Sequence, residues 1–133
     1  MGNSVNKFFK ENRKDRKPVS VAVTKRFTDE KGEAVKWELR PISSKRMEQI
    51  RNGATNKDGK LDGVRFAMAL TAASVFYPPL NDANLQDSYG VKKPEDLLYE
   101  LTYPDELDAL QIEVLKLNGY GDSLGDLVNQ AKN

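Results

Sequence analysis

Apolar and polar residues alternate with period two in two stretches near the start of the chain. VSVAVTKRF (19–27) sets Val19, Val21 and Val23 against small or polar neighbours, and AVKWELR (34–40) sets Val35, Trp37 and Leu39 against Lys36, Glu38 and Arg40. That period, carried by β-branched and aromatic residues, predicts two strands. TDEKGE between them contains Gly32 and predicts the loop of an antiparallel β-hairpin over 18–42. A two-stranded ribbon is marginal in water, so its apolar face must cover something else.

After residue 42 the spacing changes to three and four. Ser43 or Ser44 can cap a helix that buries Met47 and Ile50 and ends at Gly53. GATNKDGKLDG (53–63) reads as a flexible polar connection. Residues 64–77 are apolar nearly all round and rich in alanine, which predicts a helix buried on most sides and stopped by Pro78 and Pro79. Asn81 can cap a short helix, DANLQDSY, that Gly90 ends; Leu85 and Tyr89 lie four apart on one face of it. Pro94 and Pro104 each open a helix, followed by acids that suit the helix dipole. Leu97, Leu98 and Leu101 supply the buried stripe of the first. Leu107, Leu110, Val114 and Leu117 form the seam of the second, which Gly119 ends. A last helix over 123–132 would bury Leu124, Leu127 and Val128. The predicted class is α+β: an N-terminal antiparallel β-hairpin followed by a mostly helical C-terminal two-thirds (43–133), within one domain over 1–133.

Residues 3–12 predict a short helix with Val5, Phe8 and Phe9 on one face. ENRKDRK (11–17) then makes a charged linker closed by Pro18. Residues 1–17 are therefore a candidate mobile arm. Phe8 and Phe9 either pack on the chain's own core or dock on a neighbour.

Charge sharpens this picture. The net charge is +1, from 21 basic and 20 acidic residues. Residues 1–60 hold 16 basic and 8 acidic side chains, residues 61–133 hold 5 and 12, so the halves carry +8 and −7. Such polarity fits nucleic-acid binding by the basic half, head-to-tail attraction between copies, or two solvated surfaces.

Composition narrows the chemistry. There is no cysteine and no histidine. Disulfides and thiolate sites are excluded, and the commonest general base and zinc ligand are missing. GATNKDGK has five residues between its glycines where a phosphate loop needs four, and Leu61 stands where that loop needs Ser or Thr. Counted from Asn56 as a calcium loop, Lys60, Leu61 and Ala67 stand at positions five, six and twelve, where an oxygen ligand, a glycine and a glutamate belong. Asp82 and Asp87 are five apart and diverge on a helix, so they make no carboxylate pair. No metal, cofactor or catalytic residue is expected. The most apolar run, 64–77, is too short for a membrane span. The N-terminus has no apolar signal-peptide region, and Asn6 breaks the myristoylation pattern after Gly2. The chain reads as soluble and cytoplasmic.

A nucleic-acid face could use Phe27 and Trp37 with the strand charges. The apolar and charged residues alternate, however, so they lie on opposite faces of the ribbon, whereas a stacking platform needs both together. Nucleic-acid binding by the basic N-terminal half remains the alternative reading, with an enzyme third.

TKRFTDEKGEAVKWELRPISSKRMEQIR (24–51), TAASVFYPPLNDANLQDSYGV (71–91) and LNGYGDSLGDLVNQAKN (117–133) resemble the XkdN-like phage tail assembly chaperones, over nearly the whole chain. Nothing in generic helix chemistry demands the order YPPLNDANLQDSYG. The resemblance implies a small non-enzymatic phage or prophage protein of the bacterial host cytoplasm, absent from the finished virion. It implies that the chain coats the very long, helical tape measure protein, keeps it soluble and helps recruit tail tube subunits. It also implies a gene that can yield a longer product by frameshifting. The split charge adds an expected homo-oligomer. Phe8, Phe9, Leu85 and Tyr89 are the candidate partner contacts, with Leu85 and Tyr89 expected to pack inward first.

Overall fold

The computed structural model describes residues 2–120. Its sheet is built on the Trp37–Leu39 strand. The outer strands are β1 (Val19–Val21) and β3 (Val75–Tyr77), and β2 (Trp37–Leu39) lies between them, antiparallel to both. Val19 faces Leu39 and Val21 faces Trp37, so the valines expected on one face do share it with the buried residues of β2. The paired segments are shorter than the alternation suggested. A bridge between Thr28 and Ala34 closes the rest of the hairpin, and Asp29 accepts the N–H groups of Lys31 and Glu33 at its tip.

The third strand corrects the reading of 64–77 as one helix. Helix α2 (Gly63–Ser74) ends at Ser74, and the chain runs straight into β3, with a bulge opposite Glu38 and Leu39. A continuous apolar run does not distinguish a buried helix from a buried strand. Val75, Phe76 and Tyr77 favour strand, and Pro78 disfavours helical backbone at the residue before it.

Five α-helices follow the hairpin among the described residues: α1 (Ser44–Gly53), α2, α3 (Ala83–Ser88), α4 (Pro94–Leu101) and α5 (Pro104–Leu117). The fold is α+β, with α2 packed against α1, α4 and α5. Ser43 caps α1 by accepting the Arg46 N–H at 3.1 Å. Asp62 caps α2 in the same way. The cap of α3 is Asp82 rather than Asn81: its carboxylate accepts the Leu85 N–H at 2.8 Å. The carboxylate completes the first turn better than an amide because it also suits the helix dipole. Residues 53–63, expected to be flexible, form a closed turn. Thr55 bridges Leu61, Asn56 donates to the Lys60 carbonyl, and Asp62 donates to that of Ala54.

The core joins the inner face of the sheet to the helices: Trp37, Leu39 and Val75 meet Met47, Ile50, Phe66, Leu70, Leu97, Leu98, Leu110 and Val114. Met47 and Ile50, the three leucines of α4, and Leu110 and Val114 of α5 are buried as the spacing predicted. Leu107 and Leu117 are half-buried, and Leu115 joins them from the flank.

Before the sheet, residues 3–12 form not an α-helix but two 3-10 helices, Gly2–Phe8 and Lys10–Asn12. With no body beneath them to bury a stripe, an isolated segment of this length cannot support a regular helix. The predicted last helix over 123–132 lies outside the described residues.

Candidate protein-interaction surfaces

A joint of polar side chains sets how the helices meet the sheet. Asn118, just past α5, accepts the Ile42 N–H through Oδ1 at 2.9 Å. Its Nδ2 donates to Ser74 Oγ at 3.2 Å and to the Val114 carbonyl at 2.8 Å. One amide thus ties the exit of β2, the end of α2 and the end of α5. Among the described residues, no buried side-chain nitrogen or oxygen is left without a partner.

Arg16 anchors the N-terminal segment at the same end. Its guanidinium donates to the Leu117 carbonyl at 3.3 Å, where the helix dipole is negative. It also lies 2.9 Å from where a Cβ on Gly119 would stand, and Gly119 has φ +92°, so only glycine suits that position. Beyond this anchor the arm stands off the body: residues 4–18 are exposed throughout. Phe8 is 86% exposed and Phe9 49%. Neither is core, as the first alternative for the arm would require.

Three further surfaces are available to a partner. The outer face of the sheet carries Phe76 and Tyr77, with the Arg40 guanidinium stacked 3.3 Å from the Phe76 ring centroid and bonded to Glu38. The exposed side of α5 carries Asp105, Asp108, Ala109, Ile112, Glu113 and Lys116, spaced so that all six lie on one face. Between α1, α2 and α4 runs an open groove of about 430 Å³. Its apolar floor is Ile50, Ala54, Met68 and Ala69. At its lips Val64 is 63% exposed and Tyr99 50%. Arg46, Arg65 and Lys93 border it with Glu95 and Asp96. Arg65 is held by a bond to the Gly53 carbonyl at 2.6 Å.

Leu85 and Tyr89 are half-buried and packed against the core, so the structure does not bring them together with Phe8 and Phe9. Periodicity gave no sign of Val64 or Tyr99 as contact residues, because Val64 lies within a run that is apolar nearly all round and Tyr99 lies outside the three-four stripe of Leu97, Leu98 and Leu101. Arg26 was also silent in the sequence. It reaches from the hairpin to donate to the Glu100 carbonyl at 3.1 Å and stacks 3.7 Å from the Tyr103 ring centroid, pinning the hairpin to the α4–α5 junction.

The proposed stacking face for nucleic acid does not form: Trp37 is 3% exposed and lies in the core. Among the described residues, no three His, Cys, Asp or Glu side chains cluster as a metal site would require, and no helix is long and apolar enough to cross a membrane.

The family model described as "Phage XkdN-like tail assembly chaperone protein, TAC" matches residues 5–132. The chain is 28% identical over 124 residues to the phage-like element PBSX protein XkdN of Bacillus subtilis (strain 168), covering 86% of this chain and 84% of that protein. It is 27% identical over 124 residues to the uncharacterized protein YqbN of the same strain, covering 86% and 83%. The crystal structure of YqbN superposes with a TM-score of 0.78 at 22% identity, covering 85% of this chain and 93% of that one, a likeness of fold.

Proposed function

Because the chain belongs to the XkdN-like phage tail assembly chaperone family, we propose that it binds the tape measure protein during tail morphogenesis. It holds that long helical protein soluble in the bacterial host cytoplasm, helps bring up tail tube subunits, and is left out of the finished virion. Holding and releasing a partner needs no covalent chemistry, so the proposal assigns no catalytic residue. The working form is a homo-oligomer.

The groove between α1, α2 and α4 is the observation that carries the reading. An amphipathic helix docks by laying its apolar stripe into an apolar groove with polar margins. Here the floor is apolar, Val64 and Tyr99 stand exposed at the lips, and both signs of charge line the rim. Tyr99 has the character of an anchor, since a large rigid side chain loses little entropy on docking. Leu85 and Tyr89 enter the proposal as supports: they hold the 78–91 segment against the core, and only the parts they leave uncovered meet a partner.

The test is binding of a tape measure fragment to the full chain, wild type against a Val64→Lys/Tyr99→Ser double variant. Both positions are exposed, so the variant should fold. The expected result is binding by the wild type and at least about a tenfold weaker dissociation constant for the variant, or 1.4 kcal/mol. Equal affinities would remove the groove from the account. No binding by the wild type would remove the function.

A further inference from the structure

We infer that the N-terminal arm of one copy docks on the exposed face of α5 in a second copy, through Phe8, Phe9 and the arm's basic side chains. This rests on the self-association proposed above and names the surfaces that produce it.

Among the described residues, the arm is the segment with the most uncovered apolar side chains and the fewest contacts to the body. Val5, Phe8 and Phe9 are all exposed, although burying a side chain of this kind is worth about 1.5–3 kcal/mol. Six basic residues accompany them over 1–18, against Glu11 and Asp15 alone. Its receptor must therefore offer apolar area within a field of negative charge. The groove rim carries Arg46, Arg65 and Lys93 against Glu95 and Asp96, and the outer face of the sheet carries Lys36 and Arg40 against Glu38, so both have a basic excess. Neither attracts the arm. The face of α5 has an acidic excess: Asp105, Asp108 and Glu113 outnumber Lys116 around Ala109 and Ile112, which is 42% exposed.

The root of the arm gives the contact its direction. Arg16 is fixed to the C-terminal end of its own α5, while residues 4–15 leave the body. Each copy thus offers one arm and one acidic face, at different places on its surface. A reciprocal exchange of arms across a two-fold axis closes a pair, and a one-way exchange builds a ring or a filament. Salt weakens it, because the charges are exposed and the Debye length at physiological ionic strength is roughly 8 Å.

Charge exchange on the full chain tests this, with mass read by sedimentation or light scattering and folding checked by circular dichroism. One variant reverses the arm (Lys7→Glu/Lys10→Glu), and one reverses the face (Asp105→Lys/Asp108→Lys). The wild type should associate in dilute buffer and dissociate at high salt. Each variant alone should lose association by at least about tenfold in dissociation constant. An equal mixture should regain it, since each reversed arm then meets an opposite face. A Phe8→Ser/Phe9→Ser variant should lose association, stay unrestored with the arm-reversed variant, and pair with the face-reversed variant, whose intact arm meets its intact face. A wild type that is monomeric at every concentration overturns both the oligomer reading and this contact. An oligomer that survives both single reversals keeps the oligomer and overturns the arm. Loss without recovery on mixing also overturns the exchange between copies, because an arm lying on its own α5 would behave in that way.

Discussion

Replacing Asn118 with alanine isolates the joint that holds sheet and helices in register. The substitution removes three side-chain hydrogen bonds at once. The Val114 carbonyl keeps the backbone N–H of residue 118, 3.1 Å away, so its loss is small. Ser74 Oγ and the Ile42 N–H lose their amide partner, and Ser74 is fully buried. A buried polar group stripped of its partner costs about 1–3 kcal/mol, and adding about 1 kcal/mol for the part-buried Ile42 N–H gives a loss of about 2–4 kcal/mol. For a chain of this size that is roughly a 7–14 °C fall in the unfolding midpoint. Urea unfolding followed by circular dichroism reads the change, with an unaltered slope showing that the denatured state is comparable. A Ser74→Ala background should blunt the effect, with a coupling of about 0.5–3 kcal/mol, because the same bond cannot be lost twice. A variant within about 0.5 kcal/mol of wild type, or no coupling to Ser74, would refute the reasoning.

Truncating residues 1–17 should leave cooperative unfolding intact, since Arg16 contributes a single exposed bond to the body; loss of a cooperative melt would show that the arm is core. Leu97→Ala and Leu39→Ala, both at fully buried positions, should each cost about 2–5 kcal/mol in urea unfolding, and a cost under about 1 kcal/mol at either would contradict the core described here. Thermal melts with and without calcium, zinc or ATP should coincide, because a ligand at 100 times its dissociation constant would add about 2.7 kcal/mol; a clear upward shift with any of them would expose a site not recognised here.

The hairpin, the caps and the stripes of α1, α4 and α5 were legible because each rests on a local rule: alternation, Ser or Pro at a first turn, three-four spacing. β3 was not, since its identity depends on β2 lying beside it, a long-range fact that a run of apolar residues does not encode. The same holds for Asn118 and Arg26, ordinary polar residues whose importance comes from where three separate segments converge. Phe8 and Phe9 were recognised as candidates through their spacing, and the structure adds that the body does not cover them. The groove was invisible: its floor comes from α1 and α2, its lips from α2 and α4, and no single stretch announces it. The distinctive order YPPLNDANLQDSYG resolves into parts with separate duties. Tyr77 ends a strand, Leu80 is buried, Asp82 caps α3, and Gln86 donates to the Leu80 carbonyl at 2.8 Å. That segment is chiefly a joint, which is why its residue types suggested no reaction.

The central claim is that this chain keeps a tape measure protein in solution by binding it. The direct measurement is the soluble fraction of a phage tail tape measure protein, expressed alone and with increasing amounts of this chain, with the two recovered together by affinity purification. The account predicts that the tape measure protein is largely insoluble alone, that its soluble fraction rises with the dose of this chain, and that the two co-purify. A tape measure protein whose solubility is indifferent to this chain, with none retained alongside it, would contradict the account.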